Sequence, residues 1–449
     1  MEIKDLLITP LWLVIIYILA FIIRPFVTDR VNRKYFIPGL TLKIIGAISL
    51  GLIYQFYYGG GDTFNYFTFG SKYIWEALLN NPLTGIKLLF AGKDYQPDTF
   101  IYASKIIFYG DPASYFVLRV AGILDLFTYH TYSATAVLFA TISFTGLWAL
   151  YITFYRMFPQ LHFKLAVAVF FIPSLFFWGS GILKDTITIG ALGWAVYGIY
   201  EIFIRKKISV IKIIILFVAL YTIYIVKIYI LLSFVPAAIL WVFTSRLSGY
   251  RNFIVKIMIA PVIIAAAAGI GYYTVSKISE NNSRYRIENL ANAAKVTAEW
   301  IHYVSVKSGG SAYTLGDFDY SPVGMARKLP MAIWVTLYRP YLWEAHNIVM
   351  LLSALESLAL LILTLYVIMK SGTAFFRLMI TKPVLLFCFS FALVFAFAVG
   401  ISTYNFGSLV RYKIPMIPFF VMGLFIILDY VKKVKTQFTG STLPDIPGA

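Results

Sequence analysis

Apolar runs of about 17 to 25 residues recur from one end of the chain to the other, each long enough to cross a hydrocarbon layer of roughly 30 Å at about 1.5 Å per residue. No other feature constrains the fold as much. Backbone N–H and C=O groups inside lipid have no water to bond, so each segment must satisfy its own. Uninterrupted apolar runs of this length do so as helices rather than as barrel strands. The composition agrees: 60% of the 449 residues are hydrophobic and 13% are charged, against roughly 25% charged in an ordinary soluble chain. The expected fold is therefore all-α, a polytopic membrane helical bundle of about eleven transmembrane helices. The spans fall near residues 8 to 23, 38 to 58, 131 to 154, 164 to 181, 184 to 204, 208 to 226, 228 to 245, 253 to 276, 347 to 369, 383 to 401 and 414 to 431.

A formal charge of +18 would suggest nucleic acid in a soluble protein, but in a membrane chain Lys and Arg mark the cytoplasmic loops. With the N-terminus outside, the short inner loops carry Arg24, Arg30, Arg33, Lys34, Arg156, Lys164, Arg205, Lys206, Lys207, Arg246 and Arg251 among others. The short outer turns carry only Lys184, Lys227, Arg411 and Lys413. The bias selects one orientation at every step, places the tail 432–449 in the cytoplasm, and leaves no case for a nucleic-acid partner. Residues 8 to 23 lack a basic leader and a small-residue cleavage site, so they are expected to be retained as a span.

No repeat or linker divides the chain, and a single transmembrane domain over 1–449 is the simplest organisation. Two connections are too long to be turns, residues 59–130 and 277–346, and both fall on the outer side, where long loops tend to carry function. The first holds FNYFTFGSKYIWEALL, in which Phe67, Ile74 and Leu78 share a helical face suited to lying along the membrane surface. The second mixes Gly309, Gly310 and Gly316 with Asp317, Asp319 and Pro322 and reads as irregular structure.

Charges near lipid are costly, about 2.5 to 3.5 kcal/mol at a helix centre on insertion scales, so each needs a reason. In GGGDTF, residues 59 to 64, three glycines allow a sharp bend and deliver Asp62 to the outer rim as either a turn-capping or a functional carboxylate. WGSGILKD, residues 178 to 185, sets Lys184 beside Asp185 at an outer tip, where they either close the hairpin by a mutual or local ion pair or serve a phosphate and a base. Lys227 interrupts TIYIVKIYILL at a second tip, where snorkelling alone would satisfy it. LYRPYLWEAHN returns to the membrane with Arg339, Glu344 and His346. Its aromatics fit an interfacial belt, but the Arg and the Glu do not need one. Glu356 lies deeper, as a hydrogen-bonded carboxyl.

SLVRYKIPMIPFF is expected to open the last span, with Arg411 and Lys413 at a positive helix N-terminus where a shared anion would relieve their repulsion. A guanidinium forks two phosphate oxygens and an ammonium adds a point charge. Four histidines are dispersed without metal-ligand spacing, the single Cys388 lies inside an apolar run, and no phosphate-cradling Gly-Lys-Ser loop or nucleophile elbow occurs.

With the carboxylate after an early span, the outer amphipathic loop, the tip after Pro173 and RYKIPMIP at the last span, the layout of most of the chain resembles the GT-C class of membrane glycosyltransferases. That resemblance implies a GT-C-like bundle, placed in a bacterial cytoplasmic membrane with its site on the outer face. The implied partners are a polyprenyl-phosphate-linked sugar donor, a glycan, lipid or protein acceptor, and membrane lipid. It carries Asp62 onto the acidic residue of the first outer loop, a general base or acceptor-binding group, and Arg411 onto the basic residue that meets the lipid phosphate.

The reaction expected on that basis is inverting transfer. Asp62, with Asp185, takes the acceptor proton, while Arg411, Lys413, Arg339, Lys184 and Lys227 bind the lipid phosphate and Tyr66 and Glu344 position substrate. No metal ligand set is named, and a divalent cation is the one cofactor left open. The chain departs from the class in having an additional span before the Asp62 loop, no second acidic residue adjoining Asp62 and no large soluble C-terminal domain. An O-antigen-type polymerase or ligase working on polyprenyl-pyrophosphate glycans, and a lipid or solute transporter or flippase, are the alternative readings.

Overall fold

A computed structural model describes residues 2–92, 94–247, 287–307 and 310–440. Among the described residues the chain is helical throughout, with no strand beyond an isolated bridge between Ala312 and Asn405. The helices are α1 (Asp5–Val27), α2 (Arg33–Leu52), α3 (Asp62–Tyr66), α4 (Lys72–Asn80), α5 (Pro82–Phe90), α6 (Phe100–Ala103), α7 (Pro112–Thr128), α8 (Tyr132–Met157), α9 (His162–Phe170) and α10 (Pro173–Trp178). They continue with α11 (Lys184–Ile199), α12 (Val210–Leu247), α13 (Ile287–Lys307), α14 (Pro322–Tyr338), α15 (Ile348–Ser371), α16 (Ala374–Thr381), α17 (Pro383–Ser402), α18 (Phe406–Tyr412) and α19 (Ile417–Gly440). The chain divides into two compact units, the first comprising Met1–Arg156 and Val169–Leu231, the second Met157–Ala168 and Leu232–Ala449.

Seven helices among the described residues are long and apolar enough to cross a membrane, or eight if the bent pair α18 and α19, at 64°, counts as one span. This is a membrane protein of helical spans, and most of the apolar runs appear where the sequence puts them. Three differ. The run 164 to 181 is broken into α9 and α10, because Pro173 has no N–H to continue a helix and starts a new one at its first position. The runs 208 to 226 and 228 to 245 form a 38-residue α12 whose geometry leaves the helical region at Lys227 (φ −147°, ψ 73°), at the expected turn. The run 253 to 276 lies outside the described residues.

The described residues of the two long connections are more helical than their glycines and polar residues suggest. Phe67 and Ile74 are both buried, with non-helical backbone at Phe69 between them, and Ile74 meets α7: a Cβ on Gly122 would lie 2.7 Å from it. Among the described residues of the second connection, α13 and α14 are helical, and irregular chain occupies 310 to 321 and most of 339 to 347. Within its own unit α14 packs along α17, Thr336 donating to the Ala396 carbonyl at 2.8 Å.

In lipid there is little hydrophobic drive between helices, so close backbone approach at small residues holds spans together. Here α8 and α11 meet at Ser143, Gly146, Gly190 and Gly193: a Cβ on Gly193 would collide with the Gly146 carbonyl and one on Gly146 with that of Gly190. Since backbone cannot yield as a side chain can, Gly193→Val is expected to force the helices apart at about 1–3 kcal/mol. Thermal denaturation in detergent checks this against Gly92→Ala, where nothing lies within 4 Å of the added carbon. Equal melting temperatures for the two variants would mean the crossing is looser than described.

Candidate functional site

At the end of α2 the backbone passes through a π-turn (Ile53–Tyr57) and then three consecutive glycines at φ of 69°, 136° and 128°. These are left-handed values that only glycine adopts without strain. Gly60 N–H donates to the Tyr54 carbonyl at 2.8 Å, and the Gly61 carbonyl receives Phe64 and Asn65 N–H at 3.0 and 2.9 Å. The glycines thus fold the chain back over α2 and start α3 with Asp62, half-buried and engaged with its surroundings. Thr63 is buried against the Tyr132 hydroxyl at 2.8 Å. Tyr66, a candidate for positioning substrate, is 4% exposed with its ring packed on Phe108, which leaves it little access to a ligand. A cavity of about 750 Å³ opens beside the glycines, with Gln55, Tyr58, Phe64, Asn65 and Phe69 in its walls.

The adjacent residues at the tip of α11 take separate partners. Asp185 forms an ion pair with Lys227, both buried, at the residue where the α12 backbone leaves helical geometry and the sequence puts a turn. Lys184 instead pairs with Asp111 at 3.0 Å, on the first long connection. Asp111 also caps α7 through Ala113 and Ser114 N–H and accepts the Ser114 hydroxyl at 2.5 Å. Burial pushes the Asp111 carboxyl upward, but the Ser114 hydroxyl and the Lys184 ammonium outweigh it and hold the group below the usual carboxylate range.

In the second unit Arg339 forks the Glu344 carboxylate, whose Oε2 also receives Tyr341 N–H at 2.8 Å, and its guanidinium lies 4.9 Å from the Phe406 ring centroid. Lys413 is buried and donates to Ser357 Oγ at 3.1 Å, and that hydroxyl donates to the Arg339 carbonyl. Arg411 is half-buried in the last turn of α18. The last helix therefore does not open with Arg411 and Lys413, because the chain bends at 413 to 416 and α19 begins at Ile417. Both cations lie at the carbonyl end of α18, where positive charge is favoured without an anion. Among the described residues no three His, Cys, Asp or Glu side chains gather as a metal cradle.

No family model, curated protein or solved structure matches this chain.

Three charged groups that sequence reasoning did not single out are built into the first unit. Lys43, the middle of a span, is fully buried and donates to the Gly179 carbonyl in the gap between α10 and α11. A lone Lys inside an apolar run was the available signal. Glu201 gathers Arg156, Arg205 and Lys212 at 2.7, 2.7 and 2.8 Å, so two of the cations that mark topology also hold helix ends together.

Asp125, with no exposure, accepts hydroxyls from Ser71 and Thr135 at 2.7 Å each and lies 3.0 Å from His130 Nδ1. The His130 ring stacks on Phe67 at 3.9 Å and on Trp75 at 5.2 Å. Its partners are 54 and 10 residues from Asp125 in sequence, too scattered to form a motif. Asp125→Leu would strand these donors, each at about 1–3 kcal/mol. A clear fall in melting temperature is expected, and His130→Phe, which keeps the stack, should cost less. The reverse order would put the stability in the rings.

Proposed function

We propose that this chain is an integral membrane glycosyltransferase that moves a sugar from a polyprenyl-phosphate-linked donor to an acceptor on the extracytoplasmic face. The observation that carries the reading is the triple-glycine turn directly after a span, which sets a half-buried carboxylate, Asp62, next in sequence to glycines lining a cavity of about 750 Å³. A carboxylate adjoining such a turn is suited to take the proton of an acceptor hydroxyl as its oxygen attacks the anomeric carbon. The bond from that carbon to the lipid phosphate breaks, the phosphate leaves with the electron pair, and the configuration inverts. In this reading Lys184, partly exposed and paired with Asp111, supplies the positive charge that stabilises the departing phosphate. Asp185 spends its charge on Lys227 and serves the site by position, so the base is Asp62 alone.

The proposed topology has the N-terminus outside and the C-terminus in the cytoplasm of a bacterial inner membrane. The eight spans counted with the bent pair become eleven if the broken α9 to α10 run crosses, α12 reverses at Lys227, and residues 253 to 276 cross. Cysteine labelling at residue 60 in intact cells tests this, and protection there would refute it.

A second reading, transport, is favoured by helices interrupted on either side of α10, at 171 to 172 and 179 to 183, with the buried Lys43 on Gly179 and the buried Asp185–Lys227 pair. Charges beside discontinuous spans are a transporter's usual equipment. The deciding experiment uses purified protein in liposomes with radiolabelled polyprenyl-phosphate sugar and an acceptor. Transfer predicts labelled glycoside and free polyprenyl phosphate in equal amounts. Transport predicts movement of the label across the bilayer with the donor bond intact, and that outcome would displace the first reading.

A further inference from the structure

The last helix changes character at one point. From Ile417 to Leu428 α19 carries no charged residue, and Asp429, Lys432 and Lys433 then follow within five positions. Such a change marks the height at which hydrocarbon gives way to headgroups. Phe425, Leu428, Asp429 and Lys432 stand three and four residues apart and so share one stripe of the helix.

Facing the end of α19, in the same unit, are the turn Pro159–Leu161 and the start of α9. Phe158 meets the Tyr430 ring at 6.2 Å, and Gln160 Nε2 donates to Asp429 Oδ2 at 2.7 Å. Between these elements lies a cavity of about 650 Å³, apolar at Leu161 and Leu428 and charged at Lys164, Asp429, Lys432 and Lys433. Lys164 Nζ stands 5.6 Å from the centroid of the Phe425 ring, and Lys382 Nζ, beyond the cavity, 5.0 Å from that of Tyr430.

Charge and shape together narrow the occupant. Three ammonium groups and one carboxylate line the cavity, and that carboxylate already holds Lys433 at 2.9 Å and the Gln160 amide. The wall is net positive, which favours an anion. Snorkelling would place lysines at this height in any case, but it gives no reason for them to converge on one cavity from two elements. A free phosphate would meet the ammonium groups and leave the leucines in water. An amphiphile meets both, its headgroup at the lysines and its first methylenes on the leucines. A zwitterionic headgroup brings a cation of its own to the same ammonium groups.

We infer that this cavity is a binding site for an anionic phospholipid of the surrounding bilayer, its phosphate between Lys164 and Lys432 and its acyl chain leaving along Leu428 and Phe425. To test it, the full chain in detergent is titrated with dioleoylphosphatidylglycerol and, separately, with dioleoylphosphatidylcholine, and native mass spectrometry reads the lipid retained. The anionic lipid is expected to bind at least about tenfold more tightly. Lys164→Gln and Lys432→Gln are each expected to weaken it about fivefold, while Lys370→Gln, which removes a lysine outside the cavity, leaves it unchanged. Asp429→Asn removes the one negative charge of the wall and is expected to tighten it. Inorganic phosphate in large excess should not displace the lipid.

Lys164 and Lys432 are exposed, and unchanged melting temperatures without lipid show that their variants are folded. Equal affinity for the two lipids, displacement by phosphate, an equal loss from Lys370→Gln, or weaker binding by Asp429→Asn would overturn the inference. No step of the test depends on turnover, so failure of the lipid site leaves the transfer reading in place, and failure of transfer leaves the lipid site.

Discussion

Replacing Lys227 by methionine alone is expected to destabilise the protein by about 3–5 kcal/mol, because the buried Asp185 carboxylate would be left without its counter-charge. Asp185→Leu alone should cost a similar amount by stranding the ammonium. The double variant Asp185→Leu/Lys227→Met is expected to recover most of the loss, since a buried pair replaced by apolar groups of similar size is often near neutral. Melting temperatures of the four proteins in one detergent complete the cycle. A double variant as unstable as the sum of the singles would mean the two groups do not act as a pair. The same double variant also separates two roles for Asp185. If its charge serves only Lys227, transfer survives in the stable double variant, whereas a base would be lost with it.

This pair shows how far the sequence could be read. Lys227 marked a turn in an apolar run and does interrupt the helix there, because a charge in lipid needs a reason that a local pattern can reveal. Its partner lies 42 residues away, and tertiary pairing leaves no local trace. The long apolar runs were legible as helices for the same reason that lipid forces them to be. The break between α9 and α10 was not read, because FFIPSLFFW stays apolar across it and only Pro173 betrays the interruption.

Arg411 and Lys413 illustrate the opposite case. The prolines of KIPMIP do flank a helix start, at Ile417, but it falls after Arg411 and Lys413, so the dipole argument for a phosphate changes sign. Arg339 and Glu344, read as separate ligands, are each other's partners. In the candidate site the glycine triplet was the strongest local signal, since left-handed backbone needs glycine. The cavity beside it is lined mostly by residues 55–69, but its remaining wall comes from Glu2, Lys4, Asp5 and Tyr132, which left no local signature.

Asp62→Asn is the second change with a large expected effect. The amide keeps the shape of the carboxylate and much of its hydrogen bonding but cannot accept a proton from an attacking hydroxyl. Losing a placed base removes about 10²–10⁴ of rate. Asp62 is half-buried at the first residue of a five-residue helix, so the neutral replacement should leave the fold and the melting temperature close to those of the parent. A structural carboxylate would behave differently, with stability and activity falling together and Asp62→Asn melting early.

The most direct measurement is the initial rate of sugar transfer in liposomes from labelled polyprenyl-phosphate donor, for the parent and for Asp62→Asn at equal amounts of folded protein. The account predicts a rate at least about a hundredfold lower for the variant, with donor accumulating intact. A variant that transfers sugar at the parental rate, or a parent that releases no polyprenyl phosphate at all, would contradict it.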